Sequence, residues 1–405
     1  MRQRLALPSA QLVSVSFAAV WLAATTASPA LSQAYHGRRA WTLANDRISV
    51  VVTPGGGHIA SLSLNAGSSA GLNPLWLPPW NSLEPGSGAE PTGYYGDPPG
   101  AVLLQSILGH NLCLDFFGAP SPAETLAGIP VHGEAPVQTW RLIENAGGTL
   151  AYSTRLPLAN LDATRTIRIA PQSSALWITE RVVNRSPFDR PIGWQEHVTL
   201  GPPFLAAGQT VFDTNGTWST VYPHEFSKGE RLKRGAEFEW PLAEAANGEQ
   251  VDLREYPTAA RNSDFTATLI PADQKWGWFT ALNRRAGLMI GYVWPRADFP
   301  WLGNWEENHF RTAKPWNGKA VARGMEFGTT PFPDSRRDSV SLGRLHGAPT
   351  FRWISADSGQ TVGYGAFITP VPAGTTGAKR VTVAGDSVVV ELEGASKPLR
   401  FPVRR

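Results

Sequence analysis

Cysteine is nearly absent from this chain. Cys113 stands alone among 405 residues, so no intramolecular disulfide can form and stability must come from packing, which a chain of this length can supply without staples. Set in Leu112-Cys113-Leu114, it reads as a small buried hydrophobe rather than a nucleophile. Charge is sparse too, at 17% of residues with a formal balance of +3. No basic stripe or polybasic patch is visible, which argues against a nucleic-acid or membrane-surface partner. His309 and His346 have no ligand-like spacing to other His or Cys, so no metal is expected. Long apolar runs are confined to one, Leu12 to Ala24, broken only by serines. It follows Arg2 and Arg4 and precedes the small-residue stretch Ser32-Gln33-Ala34. Residues 1–34 therefore read as a secretory signal, leaving 35–405 as one domain that is exported to the periplasm or the extracellular space and does not stay in the membrane. Those 34 residues carry Arg2 and Arg4 and no acid, so without them the formal charge falls to +1 and the high pI says little about partners.

Glycine and proline are abundant, 40 and 34 residues, and leave little room for long helices. Between them recur short runs of Val, Ile, Thr and aromatic residues, such as Leu150 to Arg155, Thr164 to Ala170, Ala175 to Asn184, Leu288 to Val293 and Val362 to Ile368. The expectation is an all-β chain, a large two-sheet sandwich or a sandwich with an extra sheet. The Pro/Gly-rich stretch Leu72 to Gly100 reads as a long functional or mobile loop.

Tryptophan, at 16 residues, is several times commoner than usual. Some must be core. Trp76 and Trp80, and Trp294, Trp301 and Trp305, sit among Pro and Gly, where loop placement would leave indole faces for the C–H face of a sugar ring. Trp194, in the proline-led segment ending at His197, is a further candidate contact. The segment Gly303 to His309 adds polar groups, Glu307 among them, beside Trp305.

One carboxylate stands out. Glu326 lies between Met325 and Phe327 where an apolar run breaks into Gly328, Pro331 and Pro333, which reads as a strand end opening into a rigid loop. Such a position fixes the side chain, and apolar neighbours would raise its pKa toward the range of a general base. His132 and His197 also follow proline-marked segments near strand ends, and the three could converge on one cleft.

In combination these residues resemble the aldose 1-epimerases, the galactose mutarotase-like proteins. The features that carry the resemblance are His132-Gly133 before a strand with Trp140, Asn184 to Ser186 and then Pro191 to His197, and Glu326 followed by Pro333-Asp334, in that order. The resemblance implies a galactose mutarotase-like β-supersandwich with one sugar site on the concave face of its large sheet. It further implies interconversion of α and β anomers with no cofactor, with Glu326 as base at O1, His197 as acid at O5 and His132 as a second donor. At rest Glu326 would be ionised and His197 protonated. The family's sugar-holding Arg is missing from Gly109 to Asp115, so His110 or Asn111 would take over its contact. The partner would be a monosaccharide or the sugar at the end of a glycan. Two other readings stand beside this one. A carbohydrate-binding protein would keep the tryptophans without the chemistry. A glycoside hydrolase or lyase would pair Glu326 with Glu306 or Glu307.

Overall fold

A computed structural model describes residues 33–87, 93–97, 99–256 and 261–405. The expected signal segment, but for its last two positions, lies outside the described residues, as do positions 88–92 and 98 of the long loop. The described chain is built mainly of antiparallel strands in two large sheets. The twelve-stranded sheet carries, side by side, the strands His110–Asp115, Arg190–Leu200, Val321–Gly328, Trp301–Asn308 and Asn262–Leu269. The eight-stranded sheet runs from Thr210–Thr214 through Trp276–Asn283, Leu288–Pro295, Gly359–Pro370, Ala175–Asn184, Leu161–Ile169 and Thr149–Leu156 to Arg141–Ala146. Among the described residues helices are short, the longest covering seven residues, in keeping with the Gly and Pro content.

Period-two alternation explains how the sheets face each other. In Leu161–Ile169 every second residue is buried, and Leu161, Ala163 and Ile167 meet Leu112, Leu114 and Val198 from the opposite sheet in one core. Each fully buried aliphatic side chain there contributes about 1.5–3 kcal/mol. The outer face of the eight-stranded sheet is also apolar and is covered by a three-stranded sheet, Ala378–Ala384, Ser387–Leu392 and Leu399–Pro402, through contacts such as Phe367 on Phe401 and Trp177 near Val388. This is the sandwich with an added sheet that the composition predicts.

Two expectations need correction. Glu326 is not at the strand's end but two residues inside Val321–Gly328, and the stretch expected as a tryptophan-bearing loop contains the central strand Trp301–Asn308. Both strands are buried on both faces, so they lack the polar alternation that marks a half-exposed strand. Trp76 and Trp80 are buried rather than offered to solvent. Trp76 N donates to Thr199 O (2.8 Å), Trp80 Nε1 donates to Leu104 O (2.9 Å), and the two rings pack edge to face. The Leu72 to Gly100 segment is thereby tied to the large sheet at its start.

Candidate active site

The register of the large sheet places a row of residues across it. His197 is directly opposite Asn111 on one side and Glu326 on the other, and Glu326 is opposite Gly303. Directly opposed residues share a face. Trp194 and Val198 point into the core, so Gln195, His197 and Thr199 take the other face, which a second apolar cluster with Trp305, Phe265 and Phe117 covers. On that face a cavity of about 350 Å³ opens over His197 and Glu326.

Glu326 can lie flat along its strand only because Gly324, two residues earlier on the same face, has no side chain. A Cβ there would stand 2.1 Å from Glu326 Oε1. His132 arrives from a different element, a turn held by His132 N donating to Gly118 O (2.8 Å) and Leu114 N donating to His132 O (3.2 Å). The next residue must be glycine, since a Cβ on Gly133 would meet Leu114 O at 2.2 Å and φ is +73°. His132 itself adopts φ +65°, an uncommon conformation for a residue other than glycine. The imidazoles of His132 and His197 lie 4.9 Å apart between centroids, and His197 Nε2 is 3.0 Å from Glu326 Oε1. That contact lacks the angle of a formed hydrogen bond, and neither carboxyl oxygen has another protein partner among the described residues. His132 Nδ1 and Trp305 Nε1 are likewise buried and unpartnered. Buried polar atoms without partners are uncommon, and four of them around one cavity mark groups awaiting a ligand.

The electrostatics overturn the expected protonation. Burial pushes the Glu326 carboxyl well above its usual range. Burial, helped by the neighbouring His132, holds His197 well below the ordinary imidazole value, and burial lowers His132 to about 4. Both directions, up for the carboxyl and down for the imidazole, favour a resting pair that is neutral rather than charged. His197 Nδ1 lies 2.9 Å from Thr199 Oγ1. If that nitrogen donates to Thr199, Nε2 is bare and able to receive a proton from Glu326.

The other expected contacts separate. Trp305 lines the cavity. Asn111 lies on the same face beside His197, buried, with Nδ2 unpartnered, but is not among the lining residues. His110, Trp194 and Glu307 do not line the cavity. His110 points between the sheets, where Nε2 meets Glu196 Oε2 (2.8 Å) and Nδ1 faces Tyr292 Oη (3.3 Å). Trp194 faces the same core and donates to Glu180 Oε2 (2.9 Å). Both are one position out of phase with the site face. Glu307 accepts from the backbone N of Phe310 and Arg311, each at 2.9 Å, and its other oxygen stands 3.4 Å from Arg311 Nη1. Its effect on the cavity passes through Arg311. Glu306 faces the core and pairs with Arg323 (3.0 Å) and Arg231 (2.8 Å), so neither carboxylate proposed as a hydrolytic partner of Glu326 reaches the cavity. Among the described residues no group of three or more His, Cys, Asp or Glu is arranged to hold a metal ion.

Sequence reasoning missed Phe117, Phe226, Phe265, Arg311 and Trp316, and the helix Gly100–Ser106 that walls one side. Arg311 stacks over Trp316 (4.9 Å), Phe226 (5.4 Å) and Trp305 (5.6 Å). Its place just after the polar Gly303 to His309 stretch was the one available signal.

No protein-family model matches the sequence, and no curated protein matches it. Solved structures do. The chain is similar to a candidate aldose 1-epimerase from Klebsiella pneumoniae, with a TM-score of 0.58 and 12% identity over 83% of this chain and 80% of that one. It is similar also to a galactose mutarotase-like protein from Clostridium acetobutylicum, with a TM-score of 0.55 and 12% identity over 84% and 98%. The fold is galactose mutarotase-like. A candidate aldose 1-epimerase from Escherichia coli aligns comparably, with a TM-score of 0.53 and 12% identity over 82% and 99%. At such identity the mutarotase-like likeness concerns the fold, and the chemistry rests on the residues of the cavity.

Proposed function

We propose that this is an exported aldose 1-epimerase-like enzyme that interconverts the anomers of a monosaccharide, or of the sugar at the end of a glycan, by acid–base ring opening. The observation that carries the reading is the 3.0 Å contact between His197 Nε2 and Glu326 Oε1 on the floor of an aromatic cavity. The neutral pair holds the proton the reaction needs. Its transfer from Glu326 to Nε2 leaves a carboxylate and an imidazolium, and the hydroxyl dipoles of a bound sugar replace the missing solvation of both. The carboxylate takes the proton of the C1 hydroxyl while the imidazolium delivers one to the ring oxygen. The C1–O5 bond breaks, C1 becomes a carbonyl, the C1–C2 bond rotates, and reversal of the same transfers closes the ring on the other face. No cofactor is consumed. His132, neutral and close to His197, supplies a further polar contact at the ring oxygen. Acid and base together would contribute about two to four orders of magnitude each. The test is NMR of freshly dissolved α-anomers of glucose, galactose, xylose and fucose with and without protein. Faster approach to anomeric equilibrium with any of them supports the reading. No acceleration, together with measurable sugar binding, would assign a carbohydrate-binding protein instead.

A further inference from the structure

The polar and apolar lining of the cavity is unequally distributed. Polar groups that face it without another partner cluster at the floor: Glu326, His132 Nδ1 and Trp305 Nε1. The walls are hydrocarbon. Leu103, Leu104 and Ile107 come from the helix Gly100–Ser106 and the residue after it, and Phe117, Phe226 and Phe265 come from the opposite sides. Of the remaining polar side chains, the Tyr222 hydroxyl is already engaged as donor to Asp334 Oδ1 (2.6 Å). Arg311, a cation, faces Glu307 at 3.4 Å and is sandwiched by aromatic rings. Glu225 stands half exposed at the rim, 3.8 Å from Arg234.

A hexopyranose carries three or four hydroxyls beyond the reacting O1 and O5, and each needs a partner once water is displaced. The floor can satisfy the reacting edge and about one neighbour through Trp305 Nε1, and the N–H groups of Arg311 turned away from Glu307 can take about one more. The rest would press against leucine, isoleucine and phenylalanine. An anionic sugar fares no better, because the arginine that lines the cavity is balanced by Glu307 and the Glu225 carboxylate stands at the rim.

Resting on the epimerase reading, we propose that the site selects a neutral sugar whose edge remote from C1 is apolar, one bearing methyl or methoxy groups where a common hexose bears hydroxyls. The aromatic rings then stack on C–H faces, and the aliphatic wall meets the methyl groups. Adding one hydroxyl to a group held in a hydrophobic pocket costs about ten- to a hundredfold in discrimination.

The experiment compares matched pairs on the wild-type protein: 6-deoxygalactose with galactose, 6-deoxyglucose with glucose, and 3-O-methylglucose with glucose. Anomer exchange by NMR and binding by tryptophan fluorescence are read on the same samples. The expected result is a kcat/KM and an affinity at least tenfold higher for the deoxy or methylated member of at least one pair. Equal or better exchange of the parent hexoses in every pair overturns the selectivity while leaving the epimerase reading intact. If no sugar is exchanged, a tenfold binding preference for the apolar members upholds the selectivity and removes the epimerase reading. Absence of binding by all five sugars overturns both.

Discussion

Glu326 and His197 are directly opposed residues on neighbouring antiparallel strands, and their side chains meet at 3.0 Å without the angle of a hydrogen bond. Strand register fixes this relationship, so the pair is preorganised by backbone pairing along two long strands rather than by a loop. The arrangement carries a cost in burial, and that cost has measurable consequences.

The first is the pH dependence of stability. The Glu326 carboxyl has a folded-state pKa well above the 4.5 of a free carboxyl. Above that value the unfolded chain releases its proton while the folded chain keeps it, so the wild type loses stability as pH rises, by up to about 1.4 kcal/mol per pH unit until the folded group titrates. Glu326→Gln does not titrate. Denaturant unfolding of both proteins at pH 4, 6 and 8 should show the variant gaining on the wild type as pH rises. Parallel curves would mean that the carboxyl is not destabilised by burial.

His132 has the opposite sign. Its folded-state value of about 4 lies below the ordinary 6.5, so the wild type is penalised as pH falls from 6.5 through about 4. His132→Asn tolerates the positive φ and carries no proton equilibrium. The wild type should lose about 3 kcal/mol relative to this variant between pH 7 and pH 4. An unchanged difference across that range would show that His132 stays solvated.

Gly324→Ala separates positioning from folding. The added methyl meets the far end of the Glu326 side chain, which can rotate away, so unfolding free energy should change by less than about 1.5 kcal/mol. The carboxyl would leave His197, and anomer exchange should fall about a hundredfold. Exchange at the wild-type rate in a normally folded variant would show that the Glu326 placement is dispensable.

Much of this fold is legible because runs of Val, Ile, Thr and aromatic residues between Gly and Pro turn signals announce strands. Ala175 to Asn184 was read with the bounds the structure gives, and Leu150 to Arg155 and Val362 to Ile368 lie within observed strands. The site-bearing strands were harder, since Trp301–Asn308 and Val321–Gly328 are covered on both faces and mix glycine with polar residues. His132, His197 and Glu326 were found through order and residue type, and the structure brings them to one cavity. His110 and Trp194 lie off the cavity for a geometric reason, because one residue of phase moves a strand residue to the other face. The rise of the Glu326 carboxyl is legible from its apolar neighbours, whereas the lowering of His197 is not, since it depends on burial from the helix and loops that close the cavity.

The most direct test of the acid–base pair is anomer exchange by two-dimensional NMR for the wild type, Glu326→Gln and His197→Gln, with sugar binding followed by tryptophan fluorescence in the same samples. Both variants should lose at least a hundredfold in exchange while binding changes by less than about threefold. Wild-type exchange in either variant, with binding retained, would contradict the role of the pair.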